Sequence, residues 1–190
     1  MTLRTAAAAL GVVALSGLLS AQQPAKTKVG PPPPTYLANA DARLQEALAS
    51  AGKENRRVLI QWGTNGDAVS DALIRTMTKG PEVPRTLLYE YEVVRAELKG
   101  NEQLAAKYDV KGPVPQLTVL DARGTLLANQ PVAPFKAAGD DPAAFDAKKL
   151  TEFLKKHQAS YLAAEPLFTR ALLEAKKDQK TLFLWFSAPW

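Results

Sequence analysis

The sequence predicts an α/β fold, and three observations lead to this prediction. Apolar residues recur at helical spacing in several segments, and short apolar runs with β-branched residues stand between those segments. Glycine or proline separates most of them. The chain has 190 residues, 46% of them hydrophobic, so it is long enough and apolar enough for one packed domain and a remainder.

The predicted elements follow one another in the order α-β-α-β-α-β-β-α. Helical spacing or a capping pattern marks the helices, which cover residues 37–51, 64–77, 101–108 and 146–157. Apolar runs or alternation mark the strands, which cover residues 58–62, 91–98, 116–120 and 125–128.

Local signals set the limits of these elements. Gly52 ends the first helix, and Gly80 followed by Pro81 ends the second. Thr64 and Asp67 have the spacing of a capping box. We therefore expect Thr64, Asn65 and Asp67 to form the N-terminus of the second helix. The turn at 121–124 joins the last two strands as a hairpin.

The N-terminus is typical of an exported protein. Residues 1–21 contain one early positive charge at Arg4, an apolar stretch, and small residues at the end, which predicts a signal peptide. The apolar stretch is shorter than the ~18–20 residues that span a bilayer, so a cleaved signal is favoured over a membrane anchor. Residues 22–36 form a predicted proline-rich linker. We therefore expect a periplasmic or extracellular protein without membrane attachment after cleavage.

Composition excludes several kinds of chemistry. The chain has no cysteine, so these residues form no disulfide, thiolate nucleophile or thiolate metal site. His157 is the single histidine, and we expect it to have a structural role at a helix C-terminus, where a cation is favourable. The net charge of +5 arises from interleaved bases and acids, which does not predict nucleic-acid binding. We expect no cofactor and no metal.

The order of the predicted elements, together with two segments, makes the chain resemble the thioredoxin-like family. Residues 58–65 are similar to the strand and helix start that lead into the thioredoxin active site. Residues 108–115, with the hairpin that follows, are similar to the cis-proline loop. The resemblance covers residues 37–158 and implies a three-layer α/β/α fold with a central mixed sheet.

The resemblance also implies a binding loop at Val114 and Pro115. Pro115 is the candidate cis-proline, and the strand register after it favours this assignment. Pro113 stands in the same loop, so the choice between the two prolines is open at this point. An extended peptide or protein partner near the Pro115 loop is the partner that this resemblance implies.

The chain departs from the family where the redox cysteines are expected. By the resemblance, Gly66 and Val69 occupy the two cysteine positions, and Ile60 occupies the position of a buried acid. Asp67 remains as the anionic group at the helix N-terminus, and a carboxylate cannot exchange disulfides. We expect the domain over residues 37–158 to be redox-inactive and to act as a binding or structural module.

The last segment resembles the start of a second unit. Residues 159–190 repeat the helix-then-strand pattern of the first unit at an offset of 125 residues. We expect this segment to be the helix and strand of an incomplete second thioredoxin-like domain. The alternative function is then the front part of a tandem thiol-disulfide oxidoreductase, with a Cys-X-X-Cys site beyond Trp190.

Overall fold

The computed structural model describes residues 35–139, 141 and 143–185. The expected signal peptide, nearly all of the expected linker and residues 186–190 lie outside the described residues. The helices are α1 (Asp41–Glu54), α2 (Ala68–Thr78), α3 (Glu82–Glu90), α4 (Glu102–Lys107), α5 (Ala147–His157) and α6 (Ala164–Lys177). The strands are β1 (Arg57–Gly63), β2 (Tyr91–Glu97), β3 (Gln116–Leu120) and β4 (Leu126–Pro131).

The four strands form one mixed sheet in the order β2-β1-β3-β4. β1 pairs with β2 in parallel and with β3 antiparallel, and β3 pairs with β4 antiparallel. One face of the sheet packs against α1 and α4, and the other packs against α2, α3 and α5. This arrangement confirms the predicted three-layer α/β/α fold with a central mixed sheet.

β1 lies at the centre of the fold because both of its faces are apolar. Val58, Ile60 and Trp62 point into the cluster shared with α1 and α4, while Leu59 points into the opposite cluster. All of these side chains are fully buried. A strand covered on both faces is expected to read as a continuous apolar run, as this one does from Val58 to Trp62 apart from Gln61.

The structure contains a helix that the sequence analysis did not predict. α3 follows the break at Gly80 and Pro81, and Val83 and Leu87 form its buried face. Pro84 lies in its first turn, where a missing N–H does not interrupt the helical hydrogen bonds. The prolines therefore mark a helix start, and the predicted element order lacks one helix.

Other limits differ from the predicted ones. Leu37 was expected in the first helix, but it forms an isolated parallel bridge with Ala96, and α1 begins at Asp41. Tyr36 was expected in the linker, but it is only 3% exposed and packs into the domain. β4 runs to Pro131 and not to residue 128, because its pairing with β3 continues as far as Gln116 opposite Pro131.

The C-terminal segment agrees with its prediction only in part. α6 forms as expected, but residues 181–185 form no strand, and α6 contains no buried residue. A single strand without a hydrogen-bonded neighbour is not stable, and no such neighbour lies among the described residues. In the described part of the chain, no helix is long and apolar enough to cross a membrane.

His157 is the last residue of α5, as expected from its position, but its setting disfavours a cation. The His157 ring packs on Phe153, with the ring centroids 4.8 Å apart. Burial, and then the nearby Lys156 charge, lower the pKa of His157. The structure therefore favours the neutral imidazole at this helix end.

The turn between β3 and β4 predicts a loss of stability in acid. Asp121 Oδ1 accepts hydrogen bonds from the N–H groups of Arg123 and Thr125, both at 2.8 Å. The Thr125 N–H in particular lowers the pKa of Asp121. A carboxylate with a lowered folded-state pKa stabilises the fold above its unfolded pKa, ~3.9, and loses this effect as pH falls through the folded value.

We expect the free energy of unfolding of Asp121→Asn to fall less steeply with decreasing pH than that of the original protein. The asparagine Oδ1 still accepts both hydrogen bonds but does not titrate in this range. Thermal unfolding from pH 2 to pH 7 measures the difference between the two proteins, which should be largest near neutrality and shrink below pH ~4. A constant difference across this range would contradict the prediction.

Candidate functional site

The candidate site lies where β1 leads into α2. Asp67 is the N-cap of α2, and its Oδ2 accepts a hydrogen bond from the Ser70 N–H at 2.7 Å. Thr64 does not cap the helix but closes the preceding turn, because its carbonyl accepts from the Asp67 N–H at 3.3 Å. The helix therefore begins at Ala68, three residues after the expected helix-start residue Asn65.

Asn65 ties this turn to two other segments. Its side-chain amide accepts from the Tyr36 N–H at 3.0 Å and donates to the Tyr36 carbonyl at 2.9 Å. The Asn65 Nδ2 also lies 3.2 Å from Glu97 Oε2 at the end of β2. The chain before α1, the turn before α2 and the end of β2 are thus held together by one side chain.

A buried polar group lies beneath the helix N-terminus. The Tyr36 hydroxyl donates to the Ser70 carbonyl at 3.1 Å and accepts from Gln61 Nε2 at 2.9 Å. Burial raises the pKa of Tyr36 well above its usual value and lowers the pKa of Arg95, which pairs with Gln61 across the strands. Gln61 Oε1 and Arg95 Nε are buried and have no hydrogen-bond partner among the described residues.

The proline loop lies beside this turn. Trp62 pairs with Gln116, so continuing the register places Pro115 next to Gly63. The Val114–Pro115 bond is cis, so Pro115 and not Pro113 takes the cis form that the sequence left open. Gln116 Nε2 donates to the carbonyls of Lys111 and Pro113, which fixes the curve of the loop.

The positions assigned to the missing cysteines lie on the same turn. Gly66 has a φ of 77°, and a Cβ there would meet no atom within 4 Å. Val69 is half-buried in the first turn of α2. The residue after Gly66 is Asp67, which caps the helix. The residue after Val69 is Ser70, which is the first fully buried residue of the helix. The assignment of Gly66 and Val69 stays a prediction.

Sequence reasoning missed three residues of this site: Tyr36, Gln61 and Ser70. Ile60, the position assigned to a buried acid, faces the apolar cluster with Val58. The buried polar side chain on β1 is the next residue, Gln61, on the opposite face. One polar residue within the otherwise apolar run 58–62 was the available signal. In the described ranges, no group of three acidic or histidine side chains could hold a metal ion.

The mixed sheet, its two helical layers and the proline loop define a thioredoxin-like fold, here in a chain without cysteine. A solved disulphide isomerase from Xylella fastidiosa Temecula1 is similar at a TM-score of 0.54 and 17% identity. The match covers 65% of this chain and 95% of that one. At this identity the likeness shows the fold alone.

Further solved structures are similar at lower scores. The oxidised DsbD C-terminal domain from Neisseria meningitidis has a TM-score of 0.48 and 13% identity, over 65% of this chain and 100% of that one. A thioredoxin from Thermus thermophilus has a TM-score of 0.41 and 20% identity, over 58% and 80% of the two chains. No protein-family model matches the sequence, and no curated protein matches it.

Proposed function

We propose that this is an exported, thioredoxin-like binding module that holds an extended peptide at the Val114–Pro115 loop. Its 190 residues contain no cysteine, so this module binds without exchanging disulfides. Export rests on the signal pattern of residues 1–21. N-terminal sequencing of the mature protein tests this part: a start at Gln22 supports it, and a retained Met1 contradicts it.

The observation that carries the binding proposal is an unpaired stretch of backbone. Within the described residues, no hydrogen bond reaches the N–H or the carbonyl of Val114. The ladders of β3 begin only at Gln116, and the side chain of Val114 is half-exposed. A donor and an acceptor without partners at the end of a strand are suited to backbone pairing with an extended peptide.

The surroundings of Val114 favour a fixed and not a mobile loop. Gln116 holds the carbonyls on either side of Gly112, and Val114 packs against the cluster that contains Trp62. A loop that is ordered before binding loses less conformational entropy when the peptide arrives. The geometry thus supports recognition of main-chain groups with little dependence on the peptide's side chains.

The test uses a permanently unfolded polypeptide, reduced and carboxymethylated α-lactalbumin, as the probe. We expect its titration to shift and protect the Val114 amide in ¹⁵N-resolved NMR spectra, because the free N–H gains an acceptor. Val114→Pro removes this N–H and should weaken binding at least ~10-fold, which corresponds to about 1.4 kcal/mol.

Val114→Ala is the matched control, since it shortens the same side chain but keeps the N–H. It should bind within a factor of about 3 of the original protein. If Val114→Pro binds the probe as tightly as the original protein does, with the fold intact by circular dichroism, the proposal is wrong. Amide shifts confined to the far edge of the sheet around Leu127 would contradict it as well.

A second candidate function rests on α6. Its apolar residues Leu167, Phe168 and Leu173 are exposed, as are Phe183 and Trp185 after it. A helix with an unburied apolar face is typical of an element that packs against another unit. We propose that this segment belongs to a second thioredoxin-like unit. The whole protein would then be a tandem thiol-disulfide oxidoreductase, in which the described domain is the unit without cysteine.

The coding sequence after Trp190 tests this second candidate. A Cys-X-X-Cys motif immediately after Trp190 supports it, because the repeat places the redox pair there. Continuation without such a motif, or a stop codon, contradicts it. Neither outcome affects peptide binding at Val114, so the two candidates are tested separately.

A further inference from the structure

The outer edge of β2 exposes unpaired backbone groups. Leu37 N donates to the Arg95 carbonyl and Glu97 N donates to the Leu37 carbonyl, both at 2.9 Å. Because the direction of the peptide groups alternates along a strand, Tyr91, Val93 and Arg95 direct their N–H and C=O groups towards this same outer edge. The intervening residues direct theirs towards β1.

Only part of this edge is used within the described chain. The Tyr91 N–H caps α3 by donating to the Leu87 carbonyl, and the Arg95 carbonyl is taken by Leu37. Among the described residues, no hydrogen bond reaches the Tyr91 carbonyl, either backbone group of Val93, or the Arg95 N–H. Within the described part of the chain, two donors and two acceptors therefore have no partner on five consecutive residues.

The chain's own tether is poorly suited to cover these groups. The pairing at Leu37 could continue only through Thr35, whose backbone makes no hydrogen bond among the described residues, and Pro31–Pro34 before it have no N–H to donate. Uncovered strand edges usually carry a protecting charge, a bulge or a proline. β2 has no bulge in its pairing with β1 and no proline, and its two acids, Glu92 and Glu97, are held within the same chain by Arg56 and Asn65.

The free groups are self-complementary. We propose that the β2 edge of one copy pairs antiparallel with the β2 edge of a second copy, about a two-fold axis at Val93. The two Val93 residues would then exchange both N–H···O bonds, and each Arg95 N–H would donate to the Tyr91 carbonyl opposite. These four bonds use every free group on both edges and require none that is already paired.

The limits of the edge agree with this pairing. In an antiparallel dimer about Val93, Tyr91 of one copy stands opposite Arg95 of the other. On each copy α3 ends just before Tyr91, and Leu37 covers the edge from Arg95 onward. The ladder is thus closed at both ends by the chain itself, which fixes its length and its register.

The side chains beside the edge are compatible with a second copy. A groove of about 420 Å³ lies along β2 and is lined by Met77, Pro84 and Leu88, the last of them 64% exposed. Arg95 has no carboxylate within ion-pair distance among the described residues, whereas Arg56 at the same groove is paired with Glu92. The Tyr91 side chain does not enter this interface, because it is 3% exposed and its hydroxyl donates to the Leu154 carbonyl within its own copy.

The full 190-residue chain tests the proposal in solution. Light scattering after size-exclusion chromatography should show a concentration-dependent dimer. Val93→Pro removes one N–H from each edge and should raise the dimer dissociation constant about 100-fold, because two hydrogen bonds are lost and their acceptors are left unpaired. The fold should persist, since this N–H points away from β1 and proline is tolerated on a free edge.

Val93→Thr is the matched control, because it keeps both the N–H and the branched side chain, and it should dimerise like the original protein. Hydrogen exchange provides a readout that needs no variant. The Val93 and Arg95 amides should gain protection with concentration, while the Glu97 amide, already bonded to Leu37, should not. A monomer at all concentrations, or a dimer in which the Val93 amide exchanges freely, would overturn the proposal.

Discussion

Replacing Trp62 with alanine is expected to lower the free energy of unfolding by about 3–5 kcal/mol, the usual cost of truncating a buried large aromatic side chain. Trp62 is fully buried in the cluster between the sheet, α1 and α4. Its Nε1–H also donates to Thr118 Oγ1 at 2.9 Å. Most domains are stable by only ~5–15 kcal/mol, so the variant should be partly unfolded at physiological temperature.

Urea unfolding followed by far-ultraviolet circular dichroism measures this loss. Trp185→Ala is the matched control, because the same atoms are removed from a side chain that is 79% exposed. It should change stability by no more than ~0.5 kcal/mol. Trp62→Phe should cost an intermediate ~1–2 kcal/mol, since the ring volume is largely kept and the hydrogen bond is lost. Equal losses for Trp62→Ala and Trp185→Ala would contradict the placement of Trp62.

The central part of the fold could be predicted because local pattern and burial agree there. The apolar run 58–62 can be covered only if both of its faces are packed, so it indicates the middle of a sheet. β3 runs from Gln116 to Leu120, as the sequence predicts. The Asp121 turn that follows is formed by hydrogen bonds within five residues. Such elements depend little on distant parts of the chain.

α3 could not be predicted in the same way. Its sequence begins after Gly80 and Pro81 and contains Pro84, and each of these residues reads as a helix breaker on its own. Their effect depends on whether they fall before the first turn or inside the helix, which the local pattern does not show. Packing of Val83 and Leu87 against the sheet cluster decides the outcome.

Some residues of the candidate site could be predicted from the sequence and others could not. Asn65 and Asp67 were found because turn and cap signals are local, whereas Pro115 was assigned through the resemblance to the thioredoxin-like family. Tyr36 was missed because its partners, Gln61 and Ser70, lie 25 and 34 residues away in sequence. A tyrosine beside a proline-rich stretch has no local feature that predicts a buried hydrogen-bonding role. Only the packed fold brings these groups together.

The close contact between Gly63 and Tyr36 gives the second large expected effect. A Cβ on Gly63 would lie 2.5 Å from Tyr36 Cε1 and Oη and closer still to Cζ, so Gly63→Ala must displace the ring. The ring cannot move without losing the bonds of its hydroxyl to Gln61 and Ser70. We expect a loss of about 2–4 kcal/mol from overpacking and broken hydrogen bonds together.

A double-mutant cycle separates this clash from any other effect of the alanine. Gly63 lies within β1 at an ordinary strand conformation, so alanine introduces no backbone strain there. In a Tyr36→Ala background, Gly63→Ala should therefore cost little, and the cycle should give a coupling energy of at least ~1 kcal/mol. Chemical denaturation of the four proteins measures it. Additive losses would show that the ring does not occupy the space above Gly63.

The same substitution tests whether Tyr36 positions the candidate binding loop. The Asn65 amide is held by the backbone of Tyr36, and Pro115 stands beside Gly63 in the register, so a displaced ring disturbs both sides of the site. Gly63→Ala should weaken binding of the unfolded probe even where the protein remains folded. Asp121→Asn, at the opposite end of β3, should leave binding unchanged. This contrast distinguishes a local effect on the site from a general loss of stability.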